Sequence, residues 1–161
     1  MPVFISHRTA DDQLAQTVAN RLRFHGINVW IDDFDKEAQS YKGGQKNITK
    51  LIVDRLNSCT NLLAIVTKNT EGSWWVPFEI GVARQAPRVI TTFTDQSSLP
   101  EYLTEWPILR GQNAIDEFAD IYKNKRYYLN ESVLRKSEPP SGQFSRVEDF
   151  HRSLKIRLGQ R

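Results

Sequence analysis

Residues 3–33 read VFISHRTADDQLAQTVANRLRFHGINVWIDD, and the changes of hydrophobic period inside this stretch decide the architecture. Val3 to Ile5 is a short β-type run that ends in polar Ser6, His7 and Arg8. Leu14, Val18 and Leu22 then recur at every fourth position, the spacing of one helical face, with Thr9 and Asp12 placed as a capping box before it. The pattern predicts a helix from about Ala10 to Phe24, stopped near Gly26, a residue suited to the left-handed conformation behind a helix. Ile27, Val29 and Ile31 alternate with Asn28 and Trp30, giving a second strand that runs into the acidic residues Asp32, Asp33 and Asp35.

The alternation continues to about residue 122. A polar, glycine-containing loop to about Gly44 precedes Ile48, Leu51, Ile52 and Leu56, which mark a second helix. Leu62 to Val66 is a continuous apolar run of the kind found in a strand covered on both faces. A helix is expected from near Trp74 to before Pro87, strands at Val89 to Phe93 and Trp106 to Leu109, and a helix carrying Ile115, Phe118, Ala119 and Tyr122. Strands and helices in this order predict an α/β fold, a five-stranded parallel sheet with helices on both faces. Ligands collect at the carboxyl ends of such strands. That places Ser6, His7 and Arg8, then Asp32 with its loop, then the start of the Trp74 helix around one cleft.

Composition removes other classes. The 161 residues suit one domain with a tail, and 39% hydrophobic against 25% charged residues fits neither a disordered nor a fibrous chain. No apolar run approaches the roughly 20 residues that span a bilayer, and Met1 to Ser6 lacks the pattern of a signal peptide, so a cytoplasmic protein without a membrane partner is expected. Cys59 has no second cysteine to pair with, and His7, His25 and His151 are too scattered for zinc-ligand spacing; no metal is implied. Residues 1–122 carry 12 Lys+Arg against 15 Asp+Glu, whereas residues 123–161 carry 10 against 4. The basic character thus belongs to the tail. Its charges are interleaved with Pro139, Pro140, Gly142 and serines, which reads as a solvated appendage, with nucleic-acid binding the lesser alternative. The expected organisation is a domain over 1–124 and a basic extension over 125–161. Within the extension, Val147, Phe150, Leu154 and Leu158 predict a helix over 146–158, capped by Ser145 with Glu148 and packed back on its own domain.

One residue stands out chemically. In Trp74-Trp75-Val76-Pro77-Phe78-Glu79-Ile80-Gly81-Val82-Ala83, Glu79 is the only charged side chain, and its neighbours at i±3 and i±4 are Trp75, Val76, Val82 and Ala83. A solvated glutamate belongs to a polar stripe, which this helix lacks there, and burying a carboxylate costs several kcal/mol unless it is compensated. Such placement points to function. Pro77 suits a first helical turn, which puts Glu79 near the positive end of the helix. Trp75, one turn earlier, projects from the same side and would offer an aromatic wall to a flat or cationic ligand, or else fill the core.

Taken in order, these segments resemble the TIR (Toll/interleukin-1 receptor) domain family. Val3-Phe4-Ile5-Ser6-His7-Arg8 is similar to its first box, a strand ending in Phe-Ile-Ser before a polar loop. Leu22 to Asp32 is similar to the next segment, a helix ending in Gly and a strand ending in Asp. The loop from Asp33 to Gly44 falls where the family has its BB loop, and Ser73-Trp74-Trp75-Val76-Pro77-Phe78-Glu79 resembles its Ser-x-Trp pattern with a Glu after the tryptophan. The resemblance covers about residues 2–124 and implies a flavodoxin-like three-layer fold with the C-terminal helical extension added. His7 stands where tyrosine is common, and the Arg-Asp-x-x-Pro-Gly loop of animal adaptors is missing. Glu79-Ile80-Gly81-Val82-Ala83 also resembles the Glu-x-Gly-x-Ala segment of nucleoside 2-deoxyribosyltransferases, which likewise act at an N-glycosidic bond.

The resemblance implies an NAD+ nucleosidase or ADP-ribosyl cyclase with Glu79 catalytic. Phe4 and Trp75 are then expected to wall the base or ribose, and Ser6, His7, Arg8, Asp32 and Lys36 to complete the substrate site. No Gly-rich dinucleotide fingerprint follows the first strand, so NAD+ is expected as a consumed substrate, with no cofactor. The family further implies self-association through TIR domains. The stand-alone domain content resembles the bacterial antiphage systems of the Thoeris type, in which a separate effector reads an ADP-ribose-type signal. The competing expectation is a non-enzymatic TIR scaffold.

Overall fold

The computed structural model describes residues 2–32, 45–73, 75–134 and 140–161, and gives backbone alone for 32, 45–48, 128, 130–134 and 140. Strands β1 (Val3–Ser6), β2 (Val29–Asp32), β3 (Asn61–Ile65), β4 (Val89–Phe93) and β5 (Ile108–Leu109) alternate with helices α1 (Asp12–Phe24), α2 (Gln45–Asn57), α3 (Trp75–Gln85) and α4 (Gly111–Leu134); α5 (Pro140–Arg157) follows. The strands form one parallel sheet in the order β2-β1-β3-β4-β5. Its order reverses between β1 and β3, the switch point where open sheets of this kind bind ligands.

Strand alternation sorts the core into two layers. Val3, Ile5, Leu63, Ile65, Val89 and Phe93 share a cluster with α1, α4 and α5, while Phe4, Leu62, Ala64 and Ile90 share one with α2 and α3. Sequence and structure agree closely at the end of α1. Gly26 has φ +75°, its N–H bonds to Arg23 O at 2.8 Å, and Ile27 N–H bonds to Leu22 O at 3.1 Å. This is the six-to-one closure that a left-handed residue permits. It takes Ile27 out of the strand, so β2 starts at Val29, two residues later than the alternation suggests. At the start of α1 the expected Thr9–Asp12 capping box is replaced by a 3-10 turn over Thr9–Asp11 with no side-chain cap. Arg88 closes α2 from a distance, its Nε and Nη2 each donating at 3.2 Å to Leu56 O and Asn57 O, and burial lowers its pKa from the ordinary value.

The C-terminal region departs most from expectation. Helix α4 runs through the expected boundary at 124 to Leu134, because Leu129 prolongs the buried stripe of Ile115, Phe118 and Tyr122. Helix α5 starts at Pro140, a residue suited to the first helical position, so Ser145 lies inside the helix and not at its cap. Val147, Phe150 and Leu154 are buried in the main core, with Phe150 edge-on to Phe118 at 5.8 Å. The same region covers the sheet edge. His151 Nε2 accepts from Ile90 N–H at 3.0 Å, and the Gln160 amide both accepts from Ile108 N–H (3.0 Å) and donates to Ile108 O (2.5 Å). The Ile108 groups are the ones a sixth strand would use, and the Ile90 N–H is the one that a longer β5 would take up. Among the described residues no helix is long and apolar enough to cross a membrane.

Candidate functional site

Helix α3 leaves the carboxyl end of β3, so its first turns stand over the ligand-binding end of the sheet. Ser73 Oγ accepts from Val76 N–H at 3.4 Å and helps to start the helix, and Pro77 occupies its third position, exposed. The buried residues of α3 are Val76, Glu79, Ile80 and Ala83, a single i, i+3, i+4, i+7 stripe. Glu79 is therefore part of the face that packs on the sheet, and it is 1% exposed. At 100° per residue Trp75 lies only about 40° from Glu79 around the axis, so the two share one flank. Trp75 is half-buried and meets Phe78 edge-to-face, with ring centroids 6.3 Å apart. Val76, Pro77 and Ile80 line the other flank, where they join Val66 and Leu103 around a cleft of about 270 Å³ that Glu79 does not touch.

Strand β1 supplies the second group of residues. Alternation sends Phe4 and Ser6 toward α2 and α3. Phe4 is wholly buried among residues such as Ile52, Leu62 and Ile80, so it forms core beneath the site and presents no surface to a ligand in this state. Ser6 is wholly buried as well, and its Oγ has no hydrogen-bond partner among the described residues. His7 turns toward α1, where Nε2–H donates to Asp12 Oδ1 at 2.8 Å, and its Nδ1 is buried without a partner among the described residues. Arg8 reaches across the switch point to donate to Asn69 O at 3.0 Å. Native interiors satisfy nearly all buried polar atoms, so the Ser6 hydroxyl on the α2/α3 side and the His7 nitrogen on the α1 side, each buried without a partner among the described residues at this strand end, stand out as groups that another polar atom could satisfy.

A clamp that sequence reasoning missed holds this end of the sheet together. Asp11, buried, accepts from Thr67 Oγ1 at 2.8 Å and from Asn69 Nδ2 at 2.7 Å, joining the loop after β1 to the loop after β3. Thr67 Oγ1 in turn accepts from Asn69 N–H at 3.0 Å. Partners 56 and 58 residues apart leave no local signal. Asp32 pairs with Ser6 through the backbone, which places it at the same sheet end, but its side chain lies outside the described residues. So do Lys36, the whole loop 33–44 and Trp74.

The structure thus brings Glu79, Trp75, Ser6, His7 and Arg8 to the carboxyl end of a doubly wound sheet, with the acid on the helix after β3. These features define an α/β domain with a buried carboxylate at its ligand-binding end. A family model described as TIR domain matches residues 3–128, and the chain belongs to that family. It is also similar to a protein of Bacillus cereus (strain MSX-D12) named probable 3′ cyclic ADP-D-ribose synthase ThsB′. The two are 22% identical over 137 residues, which cover 79% of this chain and 71% of that protein.

Proposed function

We propose that this TIR domain cleaves the nicotinamide–ribose bond of NAD+ and releases an ADP-ribose-type product. The observation that carries the reading is the position of Glu79, a carboxylate 1% exposed on the sheet-facing stripe of α3, beside Trp75. Nicotinamide in NAD+ is already a cationic leaving group. It departs neutral with the electron pair of the broken bond, and no general acid is needed, unlike in ordinary glycoside hydrolysis. The ribose carbon left behind acquires positive charge. A fixed carboxylate in a water-poor setting stabilises that charge, which is the task assigned to Glu79. Attack by water gives ADP-ribose and one proton; attack by a nucleophilic atom of the same molecule gives a cyclic product.

Trp75 is assigned to the wall beside the reacting ribose, and Ser6, His7 and Arg8 to the polar parts of the substrate, with Asp32 and Lys36 completing the site. The named activity of the Bacillus cereus relative supports a cyclic product. The proposal extends to antiphage defence, with a separate effector reading the product and with self-association of TIR domains switching the enzyme on. Purified protein incubated with NAD+ is expected to release nicotinamide, and Glu79→Gln, folded by circular dichroism, is expected not to. Equal release by that variant would remove the assignment of Glu79.

A further inference from the structure

A second buried hydroxyl shares the layer of Glu79. Strand β4 sends Val89 and Phe93 into the α1 layer and Ile90 into the α2/α3 layer, so Thr92, two residues after Ile90, also faces α2 and α3. The strand register aligns Ser6 with Ala64 and Ala64 with Thr92, which places Ser6, Ala64 and Thr92 in one row across three adjacent strands. Thr92 is wholly buried, and its Oγ1, like Ser6 Oγ, has no hydrogen-bond partner among the described residues. Helix α3 packs over β3 and β4, and its sheet-facing stripe is the one that carries Glu79. Thr91 Oγ1 is also buried without a partner among the described residues, but alternation points it to the opposite layer, away from Glu79. A valine at 92 would fill nearly the same space without the cost of an unsatisfied hydroxyl.

We propose that Thr92 is a positioning residue for the Glu79 carboxylate. In the reacting complex its hydroxyl, with that of Ser6 on the other side of Ala64, donates toward the carboxylate, holding it ionised and aimed at the ribose. The inference rests on the NAD+-cleaving reading and names a part of that site which the motifs do not contain.

The test compares wild type, Thr92→Val and Thr92→Ser by nicotinamide release and thermal melting. Loss of a hydrogen bond to a charged group predicts that Thr92→Val turns over about tenfold or more slowly while melting at or above the wild-type temperature. The acid limb of its pH–rate profile should move upward, because the ionised carboxylate loses a donor. Thr92→Ser keeps the hydroxyl and loses a packed methyl, so it should melt lower yet recover most of the turnover lost in Thr92→Val. A purely structural Thr92 predicts the reverse order, with valine active and serine impaired, and that result overturns the proposal. An unchanged pH profile in Thr92→Val overturns it too. Wild type that releases no nicotinamide is a different failure, since it removes the NAD+-cleaving reading on which the proposal stands.

Discussion

Acidification should loosen the C-terminal helix through His151. Its ring packs between α5 and β4, and its Nε2 needs a free lone pair to accept Ile90 N–H, so protonation there breaks the cover over the sheet edge. Burial of the ring, with the nearby positive charges of Lys155 and Arg84, lowers its pKa to about 4 from the ordinary value of 6.5. A folded value below the unfolded one means stability that is present above pH 6.5 and lost as pH falls toward 4. At about pH 5.5 the linkage relation gives a loss of about 1.4 kcal/mol relative to about pH 8. This is an upper figure, because part of the ring reaches solvent. For a chain of this size it corresponds to a fall of about 3–5 °C in Tm. Thermal melts of wild type and His151→Gln between about pH 8 and 5 would isolate the effect, since glutamine offers an acceptor oxygen that does not titrate in this range. The wild type should lose more Tm across the range than the variant does. Parallel curves for the two proteins would refute the role given to His151.

Other outcomes follow from the same contacts. Phe150→Ala should cost about 3–5 kcal/mol in denaturant unfolding, because the ring is wholly buried against Phe118; a loss under about 1 kcal/mol would show α5 to be a separable appendage. Asp116 on α4 accepts from Arg21 twice at 2.7 Å and from His25 at 2.7 Å, and the Arg21 guanidinium, then His25, hold its carboxyl well below the usual carboxylate range. Asp116→Asn should therefore lower Tm modestly at neutral pH, and the difference should shrink with added salt and vanish only in strong acid. Specific activity should fall on dilution if TIR self-association completes the site, and a constant value alongside a monomer by light scattering would count against it.

How far the sequence could be read depended on the range of each interaction. The end of α1 was legible because Gly26 and Ile27 act on carbonyls only a few residues back. The sheet was legible because apolar runs such as Leu62 to Val66 admit few other roles, and the burial of Glu79 because the nine other positions of 74–83 hold no charge. The clamp at Asp11, the closure of α2 by Arg88 and the edge cover by His151 and Gln160 were not. Each joins residues more than 30 positions apart, and nothing in the local pattern distinguishes Asp11 from Asp12. Helix ends failed as well. Thr9 and Ser145 each head a capping pattern, yet Thr9 opens a 3-10 turn ahead of α1 and α5 starts five residues before Ser145, at Pro140. Phe4 was read as a ligand wall from the family motif, and alternation within β1 sends it into the core.

The central claim is tested most directly by chromatography and mass analysis of NAD+ incubated with equal amounts of wild type and Glu79→Gln, both shown to melt cooperatively. Wild type should yield nicotinamide together with an equimolar ADP-ribose-type product, and Glu79→Gln should leave NAD+ intact. Intact NAD+ in both reactions across a wide range of protein concentration, or equal cleavage in both, would contradict the account.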